Sequence, residues 1–256
     1  MNGALEGHHY VVTGGGSGFG LAIARQLVAS GARVSLLGRR QAALDEAVAE
    51  LGAAAAGYTC DVGDAGSVST AFSRLAEAGP VDGLVNNAGV ARPAAIEHLV
   101  EEEVQLQVST NFLGTVFCCQ AAIPLLRGRP NPRIVNLSSA SAWHYDEMTH
   151  LSIYASTKAA VERFTRDLRE EVQADGIGVT NLRPGSAGTD IAAGWDPERF
   201  AIAFQEWTKA GDFMDVGMEA EHVGQAVAHV LAYPPGVAVD LIEIRPNQLL
   251  AKSEFI

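Results

Sequence analysis

The sequence predicts an α/β fold in which one parallel sheet carries helices on both faces. Short runs rich in Val, Ile and Leu alternate with longer helical patterns along all 256 residues. This alternation is typical of consecutive β-α-β units, whose strands lie parallel in one sheet. Hydrophobic residues make up 48% of the chain, which suffices for a large core, and no shift in composition marks a boundary. We therefore expect one doubly wound domain over residues 1–256.

Each predicted strand is a short apolar run that is bounded by turn-forming residues. The strands are predicted over residues 9–13, 33–37, 55–60, 81–86, 133–137, 179–182 and 239–244. Helices are predicted where apolar residues recur every three to four positions. These segments are residues 18–30, 41–51, 65–78, 97–104, 107–126, 152–174 and 220–232.

Composition and charge argue against several classes of protein. The formal net charge is −12, whereas nucleic-acid binding proteins carry basic surfaces. No apolar run approaches about 18 residues, and residues 1–7 lack a basic segment followed by an apolar one, so we predict neither a membrane span nor a signal peptide. Cys60, Cys118 and Cys119 fit no zinc spacing. We expect a cytoplasmic protein with buried reduced thiols and no metal.

A glycine-rich loop follows the first predicted strand and opens the first helix. Glycines there allow a tight turn and let a pyrophosphate approach the amides of the helix N-terminus. The alternative is an ordinary strand-to-helix turn, which the position after a terminal strand disfavours. The candidate cofactor-binding residues in this loop are Gly14, Gly16, Ser17, Gly18, Phe19 and Gly20.

The end of the second strand indicates which nicotinamide cofactor is bound. Enzymes that bind NAD usually place Asp or Glu there, to accept from the ribose 2′-hydroxyl. This chain has Gly38, Arg39 and Arg40 instead, and a guanidinium can bind a 2′-phosphate with paired, charge-assisted hydrogen bonds. We therefore favour NADP(H) over NAD(H), although Arg40 as a solvated charge at the start of a helix is the alternative. Asp61 ends the third strand, where it can meet an adenine edge or cap a helix.

A tyrosine and a lysine four residues apart predict acid-base chemistry. Tyr154 and Lys158 lie in a predicted helix, so both side chains extend from one face. A phenol has a pKa near 10, and a nearby positive charge lowers it by favouring the phenolate. We therefore expect Lys158 to lower the pKa of Tyr154 and make it a proton donor and acceptor at neutral pH.

These motifs resemble those of the short-chain dehydrogenase/reductase family along nearly the whole chain. The matching segments are residues 13–20, 61–62 (Asp61 and Val62), 86–89, 111, 139, 154 with 158, and 184–185 with 189. The resemblance implies a single Rossmann-type domain with a seven-stranded parallel sheet. It also implies homotetramers or homodimers that are built through the two long helices after the fourth and fifth strands.

The resemblance assigns roles to individual residues. Ser139 resembles the serine that hydrogen-bonds the reacting oxygen, and Tyr154 the residue that protonates it. Lys158 resembles the lysine that holds the nicotinamide ribose, and Asn111 the residue that holds a water in a proton relay. Further cofactor contacts are implied for Asn87, Ala88, Gly89, Pro184, Gly185 and Thr189.

Two features depart from the commonest family pattern. The segment between Ser139 and Tyr154 is slightly longer than usual, and its residues 143–148 are rich in side chains that bind ligands. The last strand is followed by Arg245, Pro246 and Asn247 rather than by Val-Asp-Gly-Gly. This C-terminus resembles the branch that contains NADP-dependent 3-hydroxy acid (serine-type) dehydrogenases, which supports NADP and leaves the substrate open.

Residues 188–215 are predicted to form a cap over the substrate, because they are long and follow Pro184 and Gly185. The aromatic side chains in this cap form either an apolar lid for a carbonyl substrate or simply core packing. Arg92 either binds an acidic group of the substrate or is a charge on the protein surface. The candidate substrate-binding residues are Ser139, Ser141, His144, Tyr154 and Trp195.

The sequence therefore predicts an NADP(H)-dependent oxidoreductase that interconverts a secondary alcohol and a ketone or aldehyde. The alternatives are an NAD-preferring dehydrogenase and a nucleotide-binding scaffold or sensor without catalysis. A sugar-nucleotide epimerase or dehydratase is disfavoured because it usually adds a substantial C-terminal domain. An enoyl reductase is disfavoured because its tyrosine and lysine are usually farther apart.

Overall fold

Seven parallel strands form the central sheet in the order β3-β2-β1-β4-β5-β6-β8, which confirms the predicted fold. The computed structural model describes residues 4–143, 149–187, 190–192, 194–211, 213–215 and 218–251. The strands of the sheet are β1 (His9–Thr13), β2 (Arg33–Gly38), β3 (Ala55–Thr59), β4 (Gly83–Asn86), β5 (Arg133–Leu137), β6 (Gly178–Pro184) and β8 (Leu241–Ile244).

Helices cover both faces of this sheet. One face carries α1, α2 and α8, which enclose the core cluster around Leu27, Leu36 and Val227. The opposite face carries α3, α5 and α6 around Phe72, Leu84 and other buried residues. The helices are α1 (Gly18–Ala29), α2 (Gln41–Leu51), α3 (Ala65–Ala78), α4 (Glu101–Gln107), α5 (Gly114–Leu126), α6 (Ser152–Glu171), α7 (Pro197–Lys209) and α8 (Ala220–Leu231).

Burial along the strands follows their place in the sheet. The residues of β1, β4 and β5 are all buried, whereas those of the edge strands β3 and β8 alternate between partly buried and exposed. Central strands of a parallel sheet are covered on both faces and so read as continuous apolar runs. The strand order reverses between β1 and β4, and ligands of open α/β sheets bind at such a point, beyond the carboxyl ends of the strands.

The segment after β4 differs from the predicted pair of helices. α4 and α5 are joined through a π-helical segment, Val108–Leu113, so the chain is continuously helical over Glu101–Leu126. Within the described residues, this helix alone has the length and mean hydropathy, 1.3, of a membrane-spanning helix. Its buried residues, Cys118 and Ala122 among them, face the sheet, so this helix belongs to the α/β domain.

The predicted cap contains regular structure that the sequence analysis did not assign. α7 begins at Pro197 with the Asp196 side chain accepting from the amide of Arg199, which is a common helix start. Strand β7 (Phe213–Asp215) pairs antiparallel with β9 (Leu249–Ala251) near the C-terminus. Pairing between segments so distant in the chain leaves no local sequence signal.

The aromatic residues of α7 range from core to surface, because Trp207 is buried, Phe204 is partly buried and Phe200 is 36% exposed. Trp207 is 4% exposed and packs in a small cluster with Ala91 and Leu151. Its indole ring lies 6.2 Å from the Phe204 ring and 6.3 Å from that of Trp195. Tyr154 packs against the same cluster, so the cap is held directly beside the predicted acid-base residue.

Close packing of α8 on α1 depends on Gly224. A Cβ atom there would lie 2.6 Å from the carbonyl oxygen of Ala22, too close for the helices to keep their positions. We expect Gly224→Ala to lower the free energy of unfolding by about 1–3 kcal/mol, measured by urea denaturation. Gly66→Ala is the matched control in an exposed first helical turn, and we expect it to change stability by less than about 1 kcal/mol. Equal effects of the two substitutions would contradict this account.

Candidate active site

A cleft of about 910 Å³ lies at the carboxyl ends of the strands and contains most of the predicted site residues. Its volume lies within the range that is usual for ligand sites, about 300–1,000 Å³. The predicted residues that line it are Gly14, Gly16, Ser17, Gly18, Phe19, Arg39, Arg40, Asp61, Val62, Asn87, Ala88, Gly89, Ser139, Ser141, Tyr154, Lys158, Pro184, Gly185 and Trp195.

The glycine-rich loop forms one end of the cleft. Gly14 has φ +65° and Gly18 has φ +52°, a region that favours glycine. Gly20 is absent from the described walls of the cleft: a Cβ atom there would lie 2.1 Å from the carbonyl oxygen of Gly14. Gly20 therefore allows α1 to pack closely against the loop. This packing leaves the backbone next to Gly16 open toward the cleft.

Two arginines and one aspartate lie where the sequence places the nucleotide. Arg39 and Arg40 directly follow β2, are exposed and line the cleft. Within the described part of the chain, neither forms an ion pair. Asp61 does not cap a helix, because Asp64 is the residue whose side chain accepts from the amide of Ser67. The Oδ1 atom of Asp61 instead accepts from the amide of Gly63 at 3.0 Å, and Oδ2 has no hydrogen-bond partner among the residues that the structure describes.

Residues 87–89 are fixed to the first strand by a single threonine. The amides of Asn87 and Ala88 both donate to Thr13 Oγ1 at 3.0 Å, and the Asn87 side chain donates to the Thr13 carbonyl oxygen at 2.9 Å. A Cβ atom on Gly89 would lie 3.4 Å from Lys158 Nζ. Gly89 therefore lies next to the Lys158 ammonium, in the same wall of the cleft.

Ser139 lies between Tyr154 and Ser141. Ser139 Oγ accepts from Ser141 Oγ at 2.9 Å and from the Ser141 amide at 3.2 Å. A hydroxyl has one proton to donate, so Ser141 leaves that of Ser139 for other acceptors. Ser139 also lies close enough to the phenol of Tyr154 to oppose the increase in its pKa, which favours the phenolate. The hydroxyl groups of Ser139 and Tyr154 therefore lie where one substrate oxygen can accept a hydrogen bond from each.

Burial controls the acid-base properties of the tyrosine and the lysine. Burial raises the pKa of Tyr154 above 10, and the hydrogen bond from Ser139 opposes this increase only in part. Burial also lowers the pKa of Lys158 to about 8. Its Nζ donates to the Leu137 carbonyl oxygen at 2.8 Å and lies 5.8 Å from the centroid of the Tyr154 ring. Desolvation thus outweighs the expected lowering of the Tyr154 pKa by Lys158.

Asn111 is fully buried in the π-helical segment, where its side chain joins two parts of the site. Its Oδ1 accepts from the Val90 amide at 2.8 Å, and its Nδ2 donates to the Val90 carbonyl oxygen at 2.9 Å and to Thr157 Oγ1 at 3.0 Å. Both amide protons are thus in use. The side chain fastens the loop after β4 to α6, and the predicted role in a water relay stays a prediction.

Some predicted residues lie outside the part of the chain that the structure describes. These are Thr189 and His144, whose proposed contacts stay predictions.

Trp195 lines the cleft. Gly185 is held by its amide, which donates to the Ile244 carbonyl oxygen at 2.8 Å. The C-terminal strand that departs from the family pattern therefore supports this wall of the cleft.

His150 also lies in the cleft wall, where no sequence pattern predicts it. Its backbone has φ +66°, which is uncommon for a residue other than glycine, and its carbonyl oxygen accepts from the Ala94 amide at 2.8 Å. Among the described residues, neither His150 Nδ1 nor Trp195 Nε1 has a hydrogen-bond partner. An unusual backbone angle depends on tertiary contacts, so the sequence carried no signal for this residue.

A buried charge cluster behind Ser139 was also missed. Glu162 on α6 accepts from Arg183 on β6 through two hydrogen bonds of 2.6 Å, and it accepts from Trp143 Nε1. The Arg183 guanidinium lies 4.9 Å from the Trp143 ring centroid. Burial raises the pKa of Glu162, but the hydrogen bonds from Arg183, Trp143 and Ser138 outweigh it and hold that pKa below its usual value.

The family model of the short chain dehydrogenases matches residues 8–199, and the chain belongs to this family. It is therefore an oxidoreductase that acts on alcohols or carbonyl compounds with a nicotinamide cofactor, as the sequence motifs predict. The chain is 37% identical over 188 residues to galactitol 2-dehydrogenase (L-tagatose-forming) of Cereibacter sphaeroides, which covers 73% of this chain and 74% of that protein. It is 32% identical to sulfoacetaldehyde reductase 2 of Chromohalobacter salexigens over 93% of this chain and 94% of that one.

Solved structures agree with this assignment. A closed form of serine dehydrogenase complexed with NADP+ superposes with a TM-score of 0.79 and 29% identity, over 93% of this chain and 94% of that one. A 3-ketoacyl-(acyl-carrier-protein) reductase from Brucella melitensis complexed with NADH gives a TM-score of 0.81 and 25% identity, over 95% and 98%. Related structures thus hold either nicotinamide cofactor.

Removing Arg183 tests the buried cluster. Arg183→Met leaves Glu162 buried without its main partner, so we expect the free energy of unfolding to fall by about 3 kcal/mol or more. The matched control is Arg163→Met, which breaks the exposed pair with Asp167 on the same helix as Glu162 and is expected to cost less than about 0.5 kcal/mol. Urea denaturation measures both, and equal losses would show that the cluster contributes no more than a surface pair.

Proposed function

We propose that this oxidoreductase interconverts an alcohol and the corresponding ketone or aldehyde with NADP(H), with Tyr154 as general acid and base. One observation carries the proposal. The side chains of Ser139 and Tyr154 line the same cleft, close enough for Ser139 to lower the pKa of Tyr154, and the buried Lys158 lies beside them. This is the arrangement that a developing alkoxide requires, because two donors meet at one oxygen.

The chain's own residues account for the proton that the reaction moves. In the direction of reduction, Tyr154 donates its proton to the substrate oxygen, while Ser139 donates a hydrogen bond that strengthens as negative charge develops. The Ser141 hydroxyl keeps the Ser139 proton directed away from itself by donating to Ser139 Oγ. In the direction of oxidation, the Tyr154 phenolate accepts the alcohol proton. The bound nicotinamide supplies or accepts the hydride.

Lys158 supplies a positive charge at this site and positions the cofactor. With its pKa at about 8, most of its population is protonated at neutral pH. One of its three protons is donated to the Leu137 carbonyl oxygen, which leaves two for the ribose hydroxyls of the cofactor. We infer that the ammonium orients the cofactor and favours the phenolate form of Tyr154 when that proton leaves.

Local charge favours NADP(H) over NAD(H). Arg39 and Arg40 line the cleft directly after β2, where a 2′-phosphate lies in enzymes with this strand arrangement. The absence of an acidic side chain over residues 38–40 removes the usual partner of a free 2′-hydroxyl. The serine dehydrogenase that superposes on this chain was solved with NADP+, which supports the same choice.

We also propose that the protein forms a homodimer or homotetramer through α5 and α6. The helix Glu101–Leu126 is apolar, yet only 39% of its most apolar window is buried within one chain. Val108 and Leu113 on it are 37% and 36% exposed, and Phe112 meets Phe164 of α6 edge to face. A second copy of the same helix pair would cover this surface.

The raised pKa of Tyr154 predicts opposite pH dependences for the two directions. The phenol keeps its proton at neutral pH, so kcat/KM for oxidation is expected to rise nearly tenfold per pH unit between about pH 6 and 8 as more phenolate forms, and less steeply above pH about 8, where Lys158 loses its charge. Reduction uses the protonated phenol and is expected to fall only above pH about 8, where Lys158 loses its charge. Initial rates with NADP+ and NADPH measure both profiles.

The variant Tyr154→Phe removes the ionising group. We expect turnover to fall by about 10³-fold or more in both directions, while NADPH binding, measured by its fluorescence, changes little. Tyr58→Phe on β3 is the matched control and should keep the wild-type profile. Wild-type activity in Tyr154→Phe would refute the proposed role, and tight NADPH binding without turnover of any tested carbonyl by the wild type would favour a nucleotide-binding sensor.

Charge removal at the end of β2 tests the choice of cofactor. Arg39→Ala and Arg40→Ala are expected to raise KM for NADPH by about tenfold each, the equivalent of one charge-assisted hydrogen bond, and to leave KM for NADH nearly unchanged. Arg33→Ala, at the opposite end of the same strand, is the matched control. A tenfold preference of the wild type for NADH would overturn the assignment.

A further inference from the structure

The side chains that line the cleft carry a charge opposite to that of the whole protein. The described lining residues include the cations Arg39, Arg40, Arg92 and Lys158, and a single carboxylate, Asp61. The chain as a whole has a net charge of −12. A cationic cleft in an acidic protein focuses its potential on anions and draws them in from solution. The number of cations exceeds what the proposed cofactor chemistry uses.

Three of the four cations already have a place in the proposed function. Arg39 and Arg40 are placed for the 2′-phosphate, and Lys158 stands beside Tyr154. Arg92 is the fourth, and it lies toward the substrate rather than the nucleotide. Its neighbour Ala91 is 1% exposed and packs in the small cluster against which Tyr154 and Trp195 also pack. This cation and the reacting hydroxyl groups therefore share one end of the cleft.

The backbone and side chain of Arg92 are held, but the guanidinium is only weakly paired. Its amide donates to Gln107 Oε1 at 3.1 Å, and Nη1 donates to the Ala91 carbonyl oxygen at 2.7 Å. Among the described residues, the carboxylate that pairs with it belongs to Glu103, whose Oε1 is 4.0 Å from Arg92 Nε. Both oxygens of Glu103 are already bonded to Arg199, at 2.5 and 2.9 Å.

The carboxylate of Glu103 therefore does not fully neutralise Arg92, and the guanidinium can bind an anion. Arg92 and Arg199 share Glu103, and the side chain of Arg92 is only 17% exposed. A guanidinium does not lose its proton in proteins, so this partly desolvated charge persists at every physiological pH. A carboxylate or sulfonate that reaches Arg92 gains a charge-assisted pair at low additional cost of desolvation.

The cap has a glycine at the point where it passes the Arg92 guanidinium, and the missing side chain leaves space for that group. Gly194 has φ +83°, and a Cβ atom on it would lie 3.2 Å from Arg92 Nη2. The chain thus passes directly over the guanidinium just before Trp195, which lines the same cleft. Arg92 therefore touches the cap as well as the cleft, at the place where the cap meets the substrate.

We propose that Arg92 binds an anionic group on the substrate, so that the preferred substrates are oxo acids and hydroxy acids rather than uncharged ketones and alcohols. This inference rests on the proposed function and specifies its substrate class. Carboxylate and sulfonate share the chemistry that a guanidinium recognises, namely a planar or trigonal set of anionic oxygens that accept paired hydrogen bonds.

Matched substrates test the proposal directly. We would compare 4-oxopentanoate with its uncharged methyl ester, and with 3-oxobutane-1-sulfonate, by following oxidation of NADPH. We expect wild-type kcat/KM for the acid to exceed that for the ester by at least about tenfold. The comparison of carboxylate with sulfonate shows which of the two anions fits the site better.

Variants separate recognition from structure. Arg92→Met is expected to lower kcat/KM for the acid by about 10- to 100-fold, mainly through KM, and that for the ester by less than about threefold. Arg92→Lys, which keeps the charge without the fork, should recover part of the loss with the acid. Arg127→Met breaks an exposed ion pair with Asp175 outside the cleft lining and is the matched control, expected to affect acid and ester equally.

The outcomes are distinct. Equal rates with acid and ester in the wild type, or equal losses for both substrates in Arg92→Met, would overturn the role of Arg92 while leaving the oxidoreductase proposal intact. If the wild type binds NADPH but reduces neither these substrates nor a wider panel of carbonyl compounds, the proposed function itself fails and this inference fails with it. Selective loss of activity with the anionic substrates alone supports both.

Discussion

The hydrogen bond from the Lys158 ammonium to the Leu137 carbonyl oxygen is the interaction on which the site depends. It spans 2.8 Å and fastens α6, which carries Tyr154, to the end of β5, which leads into Ser139. The two reacting hydroxyl groups come from different elements, so their separation is set by how these elements dock. A charged group that is 4% exposed holds its position firmly, because few other partners are within its reach.

Other buried polar groups reinforce the same docking. Glu162, two helical turns beyond Tyr154 on α6, binds Arg183 at the end of β6, and Asn111 links α6 to the loop after β4 through Thr157 and Val90. Each pair joins segments that are distant along the chain. Removing one partner would leave a buried polar group unsatisfied, which costs more than the pair itself contributes. These buried hydrogen bonds and ion pairs therefore hold the site in a fixed position, because each group requires its partner.

Desolvation explains both the chemistry and the selectivity that we propose. The same burial raises the pKa of Tyr154 and lowers that of Lys158, so the phenol is an acid at rest and the ammonium is close to releasing its proton. Cations in a partly dry cleft attract anions strongly. A protein with a net charge of −12 can hold an anionic cofactor and an anionic substrate because its positive charges are concentrated there.

The sequence by itself determined the features that are local. The four-residue spacing of Tyr154 and Lys158, the glycine loop and the strand–helix alternation depend on short-range backbone geometry. They are found where they were predicted, apart from the continuous helix after β4 and the unpredicted elements α7, β7 and β9. The tertiary structure alone decided the direction of the Tyr154 pKa, the clamping role of Asn111, the weak pairing of Arg92 with Glu103 and the place of His150 in the cleft. These depend on burial and on contacts between segments far apart in the chain, and no periodicity in the sequence encodes either.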